Sequence, residues 1–329
     1  MISIGIQGAE VIKTAGSFLL ASHMHPDGDA IGSMIGLGLA LRDIGKNVAI
    51  ISGQPVPPSY HFLPGSEMVS TPQGVHGRRF DCGIVLDCTG LERLPEEVNK
   101  LFDCCGTLIN IDHHVSNDFF GAVNIVDSSA SATAEILYQV LSALKIGISP
   151  DVATNLYAAL VTDTGSFRYQ NTTNRCHLVA SLLLERGADH HLVQQCLNEQ
   201  KTLASIRLLQ KGLSTLSLDQ EGQVAWMTIS RLNCLDEGCR MEESEDLINY
   251  PKSIAGVEIA VLFKEIGDHE VRIGFRSKSF ADVNALAGRF GGGGHMRAAG
   301  CTVKGTLQEV EALVIDAARD YLQKKREVL

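Results

Sequence analysis

A chain of 329 residues is too long for one typical hydrophobic core, so two domains are expected. A hydrophobic content of 45% and a mean hydropathy of +0.08 suit a globular protein, and no apolar run approaches the ~18–20 residues needed to cross a bilayer. The formal net charge of -10 argues against coating of long duplex nucleic acid, which needs a broadly basic face, yet it leaves room for a small anion in a local basic pocket.

The start, Met1-Ile2-Ser3-Ile4-Gly5, has no charged region and no cleavage site, so no signal peptide is read. Nine cysteines, an odd number without a CxxC pair, fit neither a zinc motif nor a disulfide framework. Reduced thiols and a cytoplasmic location are expected.

Glu10 to Ser17 reads as a short helix that leads into the apolar strand Phe18-Leu19-Leu20-Ala21. The strand ends in Ser22-His23-Met24-His25-Pro26-Asp27-Gly28-Asp29, two imidazoles and two carboxylates at a Pro/Gly turn. Ile31, Ile35, Leu39 and Ile44 follow at near-helical spacing, with Gly32, Gly36 and Gly38 pointing to close packing and Gly45 to a C-cap. Asn47 to Ile51 is a second strand, which completes a βαβ unit. Cys82 to Leu86 is a strand ending at Asp87, and Thr107 to Ile111 another ending at Asp112-His113-His114. Ser128 to Leu144 reads as an amphipathic helix, and Val152 to Val161 as a helix or buried segment leading to Asp163. Gly187 to Gly212 is helical and polar. From Leu213 the texture becomes strands, Val224–Ile229, Ile259–Phe263 and Val271–Phe275, closed by a helix from Gln308 to Lys324.

One carboxylate at a strand end caps a helix more often than it binds a metal. Four apolar segments ending in Asp or His are hard to explain as capping, and they are expected to converge on the carboxyl edge of a parallel sheet, where α/β proteins bind ligands. Asp and His donors without cysteine suit Mn²⁺, Mg²⁺ or Fe²⁺ better than structural zinc. Six plausible ligands among His23, Asp27, Asp29, Asp87, Asp112, His113, His114 and Asp163 are too many for one catalytic ion with open positions but suit two. Asp87, alone on its strand, is the natural bridge.

The C-terminal third has its own chemistry. Gly291-Gly292-Gly293-Gly294-His295 can bring backbone N–H groups close to a phosphate. Between Arg272 and Lys304 there are six Lys/Arg against one acid, Asp282, while Glu237 to Asp246 is acidic. Basic charge is thus focused around Arg276-Ser277-Lys278 and the glycine stretch, as a clamp on a short anion requires.

His23-x-x-x-Asp27-x-Asp29, Asp87, Asp112-His113-His114 and Asp163 resemble the motifs of the DHH phosphoesterase superfamily, and Gly291–His295 resembles the signature of its associated C-terminal domain. Tyr60-x-Phe62-Leu63-Pro64, Leu91-Glu92-Arg93-Leu94 and Asp112-His113-His114-x-Ser116-Asn117 are similar to the nanoRNase branch. The resemblance implies an α/β fold: a parallel-sheet catalytic domain over 1–188, a helical linker over 189–212 and a smaller α+β substrate domain over 213–329, with the active site in the cleft between them. It implies two divalent ions, Mn²⁺ foremost with Mg²⁺, Fe²⁺ or Co²⁺ as alternatives. His23 and Asp27 would hold one, Asp29, His113 and Asp163 the other, with Asp87 bridging and a shared hydroxide as nucleophile. His114 would face the scissile phosphate. Asp112 and Arg93 would support the ligands from behind. Arg276, Ser277, Lys278, Gly292, Gly293, Gly294 and His295 would bind substrate. The substrates implied are oligoribonucleotides of about two to five nucleotides and adenosine 3′,5′-bisphosphate, with no membrane partner and a homodimer compatible with the architecture. His25 has no place in the pattern, and Cys88 stands where a hydroxyl residue is common.

Two other readings stay open at this point. The same fold could serve as a cyclic-dinucleotide phosphodiesterase, acting on cyclic di-AMP or pApA. A metal-dependent nucleotide-binding module without turnover is the alternative from another class.

Overall fold

The computed structural model describes residues 6–239 and 241–326. The chain divides into two compact units, Met1–Gln200 and Lys201–Leu329. The division falls inside the stretch expected to link them.

In the first unit β1 (Ser17–Ser22), β2 (Asn47–Ile51), β3 (Val69–Ser70), β4 (Phe80–Leu86), β5 (Cys105–Asp112) and β6 (Val123–Val126) form a parallel sheet. Its order is β3-β2-β1-β4-β5-β6. Strand β1 is apolar on both sides because both faces are covered. Phe18 and Leu20 join the core with the helices α2 (Gly28–Asp43), α4 (Thr133–Leu144) and α5 (Pro150–Asp163). Leu19 and Ala21 face the other way, toward Val98 of α3 (Glu96–Asn99) and Phe102. The outer helices of this unit are α1 (Ile6–Thr14), α6 (Asn174–Glu185) and α7 (His190–Asn198). The chain runs from β1 to β2 and then crosses back to lay β4 on the other side of β1. The strand order therefore reverses between β1 and β4, which opens a crevice at their carboxyl ends.

Helix α2 packs along α5, and its glycines set the distance. A Cβ on Gly32 would stand 2.6 Å from the Asn155 carbonyl, and one on Gly28 would collide with the Thr162 side chain. Gly28 opens α2 and Thr162 nearly closes α5, so the two helices run antiparallel. The contact carries the end of α5 to the start of α2.

Two sequence expectations need correction. Asp163 does not end a strand; it is the last residue of helix α5. Residues Val152 to Val161 are all buried, so the run lacks the polar face that marks a surface helix. The helix expected from Ser128 begins only at Thr133. The preceding residues turn back on themselves, with Ser129 Oγ donating to Asp127 and the Ser131 hydroxyl donating to the Asn171 carbonyl.

The second unit holds β7 (Ser217–Leu218), β8 (Val224–Ile229), β9 (Ile259–Gly267), β10 (Glu270–Ser277), β11 (Gly293–His295) and β12 (Ala298–Lys304), ordered β11-β12-β10-β9-β8-β7. Only β8 and β9 pair in parallel. Helices α11 (Val283–Gly288) and α12 (Leu307–Arg326) cover one face, setting Val310, Val314 and Ile315 on Val261, Phe263, Ile273 and Phe275. Helix α8 (Leu203–Ser214), with α9 (Arg231–Glu237) and α10 (Asn249–Ser253) nearby in sequence, covers part of the other through Leu208, Met227 and Leu262. No described helix is long and apolar enough to cross a membrane.

The glycine stretch is another correction. Gly293 and Gly294 are not loop residues: they lie in β11, opposite Gly300 and Ala299. A Cβ on Gly292 would collide with the Gly300 carbonyl, and Gly294 has φ 150°, so the missing side chains let this edge strand close on β12.

Candidate metal centre

The crevice between β1 and β4 collects the polar groups at the ends of β1, β4 and β5. Asp27, following β1, caps α2: one carboxylate oxygen accepts from the N–H groups of Asp29 and Ala30 at 3.0 and 3.1 Å. Capping and ligation do not compete here, because a carboxylate has a second oxygen. Asp87 follows β4 with φ 53°, a left-handed conformation uncommon for a residue with a side chain, and its N–H is held by the Ile111 carbonyl at 2.9 Å. Asp163 arrives from the end of α5.

The two imidazoles expected as ligands are prepared alike. His23 bonds through Nδ1 to the Met24 carbonyl at 2.8 Å and brings Nε2 to 3.6 Å from Asp87 Oδ2. His113 bonds through Nδ1 to the Ala130 carbonyl at 3.3 Å. Its Nε2 then lies 3.5 Å from Asp87 Oδ1 and 3.8 Å from both Asp29 and Asp163. A main-chain acceptor on Nδ1 fixes the tautomer that leaves Nε2 as donor to a metal. The ligand atoms fall into three groups, each within 4.8 Å: His23, Asp27 and Asp87; Asp29, His113 and Asp163; and Asp87, His113 and His114. The two oxygens of Asp87 have different neighbours, Oδ2 lying nearest His23 and Oδ1 nearest His113.

Asp29 is 1% exposed and is the most enclosed of the set. It accepts from the Thr133 N–H at 2.6 Å, the Ala134 N–H at 3.2 Å and Ser33 Oγ at 3.1 Å. Thr133 Oγ1 also donates to Asp87 at 3.2 Å. The start of α4 therefore serves the centre, a role the sequence reading missed. A signal was present: the N-cap position is Ala132, which offers no cap and leaves the first N–H groups of α4 to a partner from elsewhere.

Behind His114 lies a built support. Asp112, 0% exposed, accepts from His114 Nδ1 at 2.7 Å, from the His113 N–H at 2.8 Å and from Asn117 Nδ2 at 2.6 Å. Asn117 also donates to the Asn110 side chain and the Cys88 carbonyl. On the far side, Asn171 donates to Asp163 Oδ2 at 3.2 Å.

The charge state follows from burial and crowding. Burial pushes Asp29 well above the usual carboxylate range, with the charges of Asp87, Asp163 and Asp27 adding to it. Asp27, although exposed, is raised by desolvation among its neighbours and by the charge of Asp87, and burial takes Asp163 up to about 7. Burial works to raise Asp87 as well, but His23, His113 and His114 outweigh it and hold the carboxyl below its ordinary range. For all three histidines burial favours the neutral ring, and the surrounding carboxylates overcome it, so each is raised. Among the described residues no lysine or arginine pairs with these four carboxylates, and the ion pairs they make are with imidazoles. Such a cluster wants positive charge, and an oxygen and nitrogen donor set without thiolate fits hard or borderline divalent ions.

The remaining expected residues are placed as follows. Arg93 is exposed and meets the centre through its main chain, its carbonyl accepting from the Met24 N–H at 2.8 Å. His25 is exposed with φ 58°. Cys88 is buried and donates to the Gly90 carbonyl at 3.2 Å, and burial pushes its thiol up to about 12. In the second unit Lys278 Nζ holds the Ile254 carbonyl at 2.6 Å, and Arg276 Nη1 the Phe275 carbonyl at 3.0 Å. Ser277 is buried, and its Oγ has no hydrogen-bond partner among the described residues. Gly292 donates its N–H to the Ala287 carbonyl. The His295 side chain lies outside the described residues. Arg289 stacks over Tyr321 of α12 rather than joining the glycine strand.

Comparison with known proteins places this geometry. Residues 17–162 match the DHH family, N-terminal domain, and residues 221–324 the DHHA1 domain. The bifunctional oligoribonuclease and PAP phosphatase NrnA of Thermus thermophilus is 31% identical over 96% of this chain and 94% of its own. The protein of the same name from Bacillus subtilis is 30% identical over 89% and 92%. Among solved structures, an exopolyphosphatase-related protein from Bacteroides fragilis superposes with a TM-score of 0.89 at 25% identity, covering 98% of this chain and 96% of that one. RecJ from Thermus thermophilus, solved with Mn²⁺, shares the fold at a TM-score of 0.56 and 14% identity, over 97% of this chain and 56% of RecJ.

Proposed function

The chain belongs to the DHH phosphoesterase family, with a DHHA1 domain following the catalytic one, and from that membership we propose that it hydrolyses very short oligoribonucleotides to mononucleotides and adenosine 3′,5′-bisphosphate to AMP at a two-metal centre. It is a phosphate-ester hydrolase; relatives that match over most of its length carry the name bifunctional oligoribonuclease and PAP phosphatase.

The observation that carries the reading is the position of Asp87. Its Oδ2 faces His23, which groups with Asp27, and its Oδ1 faces His113, which in turn lies against Asp29 and Asp163. In this reading His23 and Asp27 would hold one ion, His113, Asp29 and Asp163 the other, and Asp87 would contribute to both. Manganese is the proposed metal, on the chemistry of the donors. Two divalent ions held there supply an activated water and neutralise charge on the phosphate.

The chain's own residues do the rest. The charge of Asp112 on Nδ1 keeps the His114 ring oriented and favours its protonated form, so that the ring can stabilise the phosphate or pass a proton from Nε2 to the leaving oxygen. Thr133 and the first N–H groups of α4 keep Asp87 and Asp29 in place. The basic segment Arg276–Lys278 and the glycine strand grip the rest of the substrate, which selects short anionic chains.

The test is turnover with Mn²⁺ on a dinucleotide, on adenosine 3′,5′-bisphosphate and on cyclic di-AMP, side by side. The reading expects the first two to be cleaved and the third to be poor. Preferential cleavage of the cyclic dinucleotide would overturn the substrate assignment, and binding without turnover of any of them would overturn the enzymatic one.

A further inference from the structure

The segment from Asp127 to Glu135, between β6 and the first turn of α4, serves one half of the metal centre. The Ala130 carbonyl bonds to His113 Nδ1 at 3.3 Å. The Thr133 N–H reaches Asp29 at 2.6 Å, and its hydroxyl reaches Asp87 at 3.2 Å. The Ser131 carbonyl accepts from the Asn171 amide at 3.0 Å, and that same amide donates to the Asp163 carboxylate. Asp29, His113 and Asp163 thus all depend on this segment, directly or through Asn171. The hydrogen bonds of His23 and Asp27 go elsewhere, to Met24 and to the start of α2.

The segment is itself clamped at both ends by one side chain. Glu135 is 0% exposed; one of its oxygens accepts from the Ser131 N–H at 3.0 Å and the other from Arg175 Nε. Arg175, in the first turn of α6, also sends Nη2 to Asp127 at 2.9 Å. A planar guanidinium can hold two carboxylates at once in fixed directions, which a single ammonium cannot. Asp127 is anchored in turn, its N–H on the Asp112 carbonyl and its other oxygen on the N–H and hydroxyl of Ser129. The chain brings Arg175 to this place by an uncommon route. Gly165, Ser166 and Phe167 follow one another with φ between 56° and 63°, a left-handed turn that reverses the chain after α5. The Phe167 ring stacks on His177 of α6 at 5.1 Å, which pins the turn to the helix that carries Arg175.

We infer that Arg175 and Glu135 are a positioning pair for the ion assigned to Asp29, His113 and Asp163, and that the ion assigned to His23 and Asp27 is indifferent to them. The inference rests on the proposed two-metal centre and names what sets the geometry of one half of it. The pair acts through Ala130, Ser131, Thr133 and Asn171. Buried carboxylates are costly unless paired and hydrogen-bonded, so removing Arg175 leaves Glu135 to find another partner and releases Asp127 and Ser131 together. A small shift of the segment then moves an imidazole and two carboxylates at once. Partners behind metal ligands alter affinity by about 10- to 100-fold. A pair that only stabilised the fold would lower the melting temperature and leave the Mn²⁺ affinities of the folded protein unchanged.

The experiment is Mn²⁺ binding to metal-free protein, followed by loss of the free-ion EPR signal, for wild type, Arg175→Gln and Arg175→Lys, with folding checked by circular dichroism. Arg175→Gln is expected to bind one ion as wild type does and the other about tenfold or more weakly. Arg175→Lys should fall between, because it keeps the charge and loses the fork. Double variants identify the ion. Added to Asp27→Ala, Arg175→Gln should weaken the remaining ion by the same factor; added to His113→Ala, it should change affinity by less than about twofold. Equal weakening of both ions, or no weakening in folded Arg175→Gln, would overturn the positioning role and leave the two-metal reading intact. If Arg175→Gln does not fold, Arg175→Lys decides: weakening of that one ion by about threefold or more supports the pair, and unchanged binding rejects it. A wild type that binds fewer than two ions would overturn the two-metal reading and the positioning role with it.

Discussion

At the carboxyl edge of the first sheet, carboxylates and imidazoles crowd into a mostly enclosed crevice, whereas the second sheet spreads Lys264, Arg272 and Arg276 around an open floor of glycine. The first arrangement holds like charges in conflict, whereas in the second Lys264 and Arg276 already have partners within the chain. The first needs cations and holds its donors rigidly, each anchored by a main-chain partner or a helix start. The second suits anions, and Arg272 takes no hydrogen bond or ion pair there among the described residues. Chemistry that must be placed to a fraction of an ångström sits on strand ends and helix termini; affinity for a flexible chain can be spread over an exposed face.

The comparison can be broken by substitution. Changes in the first unit should reduce kcat on every substrate, and changes in the second should raise KM according to substrate. The largest effect is expected for Asp87→Ala, a loss on the order of a thousandfold or more in kcat on dinucleotide and bisphosphate alike, with the fold retained by circular dichroism. Turnover within tenfold of wild type would remove Asp87 from the centre.

Next comes Asp112→Asn, which keeps the shape and removes the charge behind His114. A loss of about 10- to 100-fold is expected. Burial lowers the His114 pKa and the bond from Asp112 raises it, so without that charge the pKa falls. Because the protonated ring is the active form in this account, the alkaline limb of the pH–rate profile should move to lower pH. A limb that stays in place would show that His114 is not the group being titrated.

Arg276→Ala tests the second region. It should raise KM for a dinucleotide several-fold more than for a generic chromogenic phosphodiester, with kcat little changed; equal losses on both would deny it a part in gripping nucleotides. The smallest effect belongs to Cys88→Ser. The Cys88 thiol donates to Gly90 and not to Asp87, so a hydroxyl there should change kcat by less than about threefold and stability by about 1 kcal/mol or less. A large gain in activity would mean that the hydroxyl reaches Asp87.

Much of this was legible in the sequence because strand ends are local features. The apolar runs at Phe18, Cys82 and Thr107 each stop at a polar group, and the order in which β1, β4 and β5 lie side by side brings those groups together. Asp163 was grouped with the strand-end residues, although the run before it was read as a helix or buried segment; it ends helix α5, which is buried over Val152 to Val161 and so shows no periodic polar face. The start of α4 escaped notice for a different reason. Its N–H groups are satisfied by Asp29, 104 residues earlier in the chain, and no local pattern records a partner so distant. The glycine stretch was noticed because it lets backbone N–H groups approach a phosphate, but Gly293 to His295 form a strand, because the absent side chains permit close pairing with β12. The basic face of the second sheet was visible only as an excess of charge between Arg272 and Lys304. Its floor depends on Gly274 meeting Gly300 across two strands, and that register is not written in either segment alone.

The central claim is a pair of metal ions joined by Asp87, and equilibrium binding of Mn²⁺ tests it most directly. Metal-free wild-type protein should take up two ions per chain, releasing protons as it does so, because Asp163, with its carboxyl pushed up to about 7, must ionise to bind. Affinity should accordingly rise with pH through neutrality. Asp87→Ala should bind at most one ion at the same concentration. A stoichiometry of one in the wild type, or two ions bound equally well by Asp87→Ala, would contradict the account.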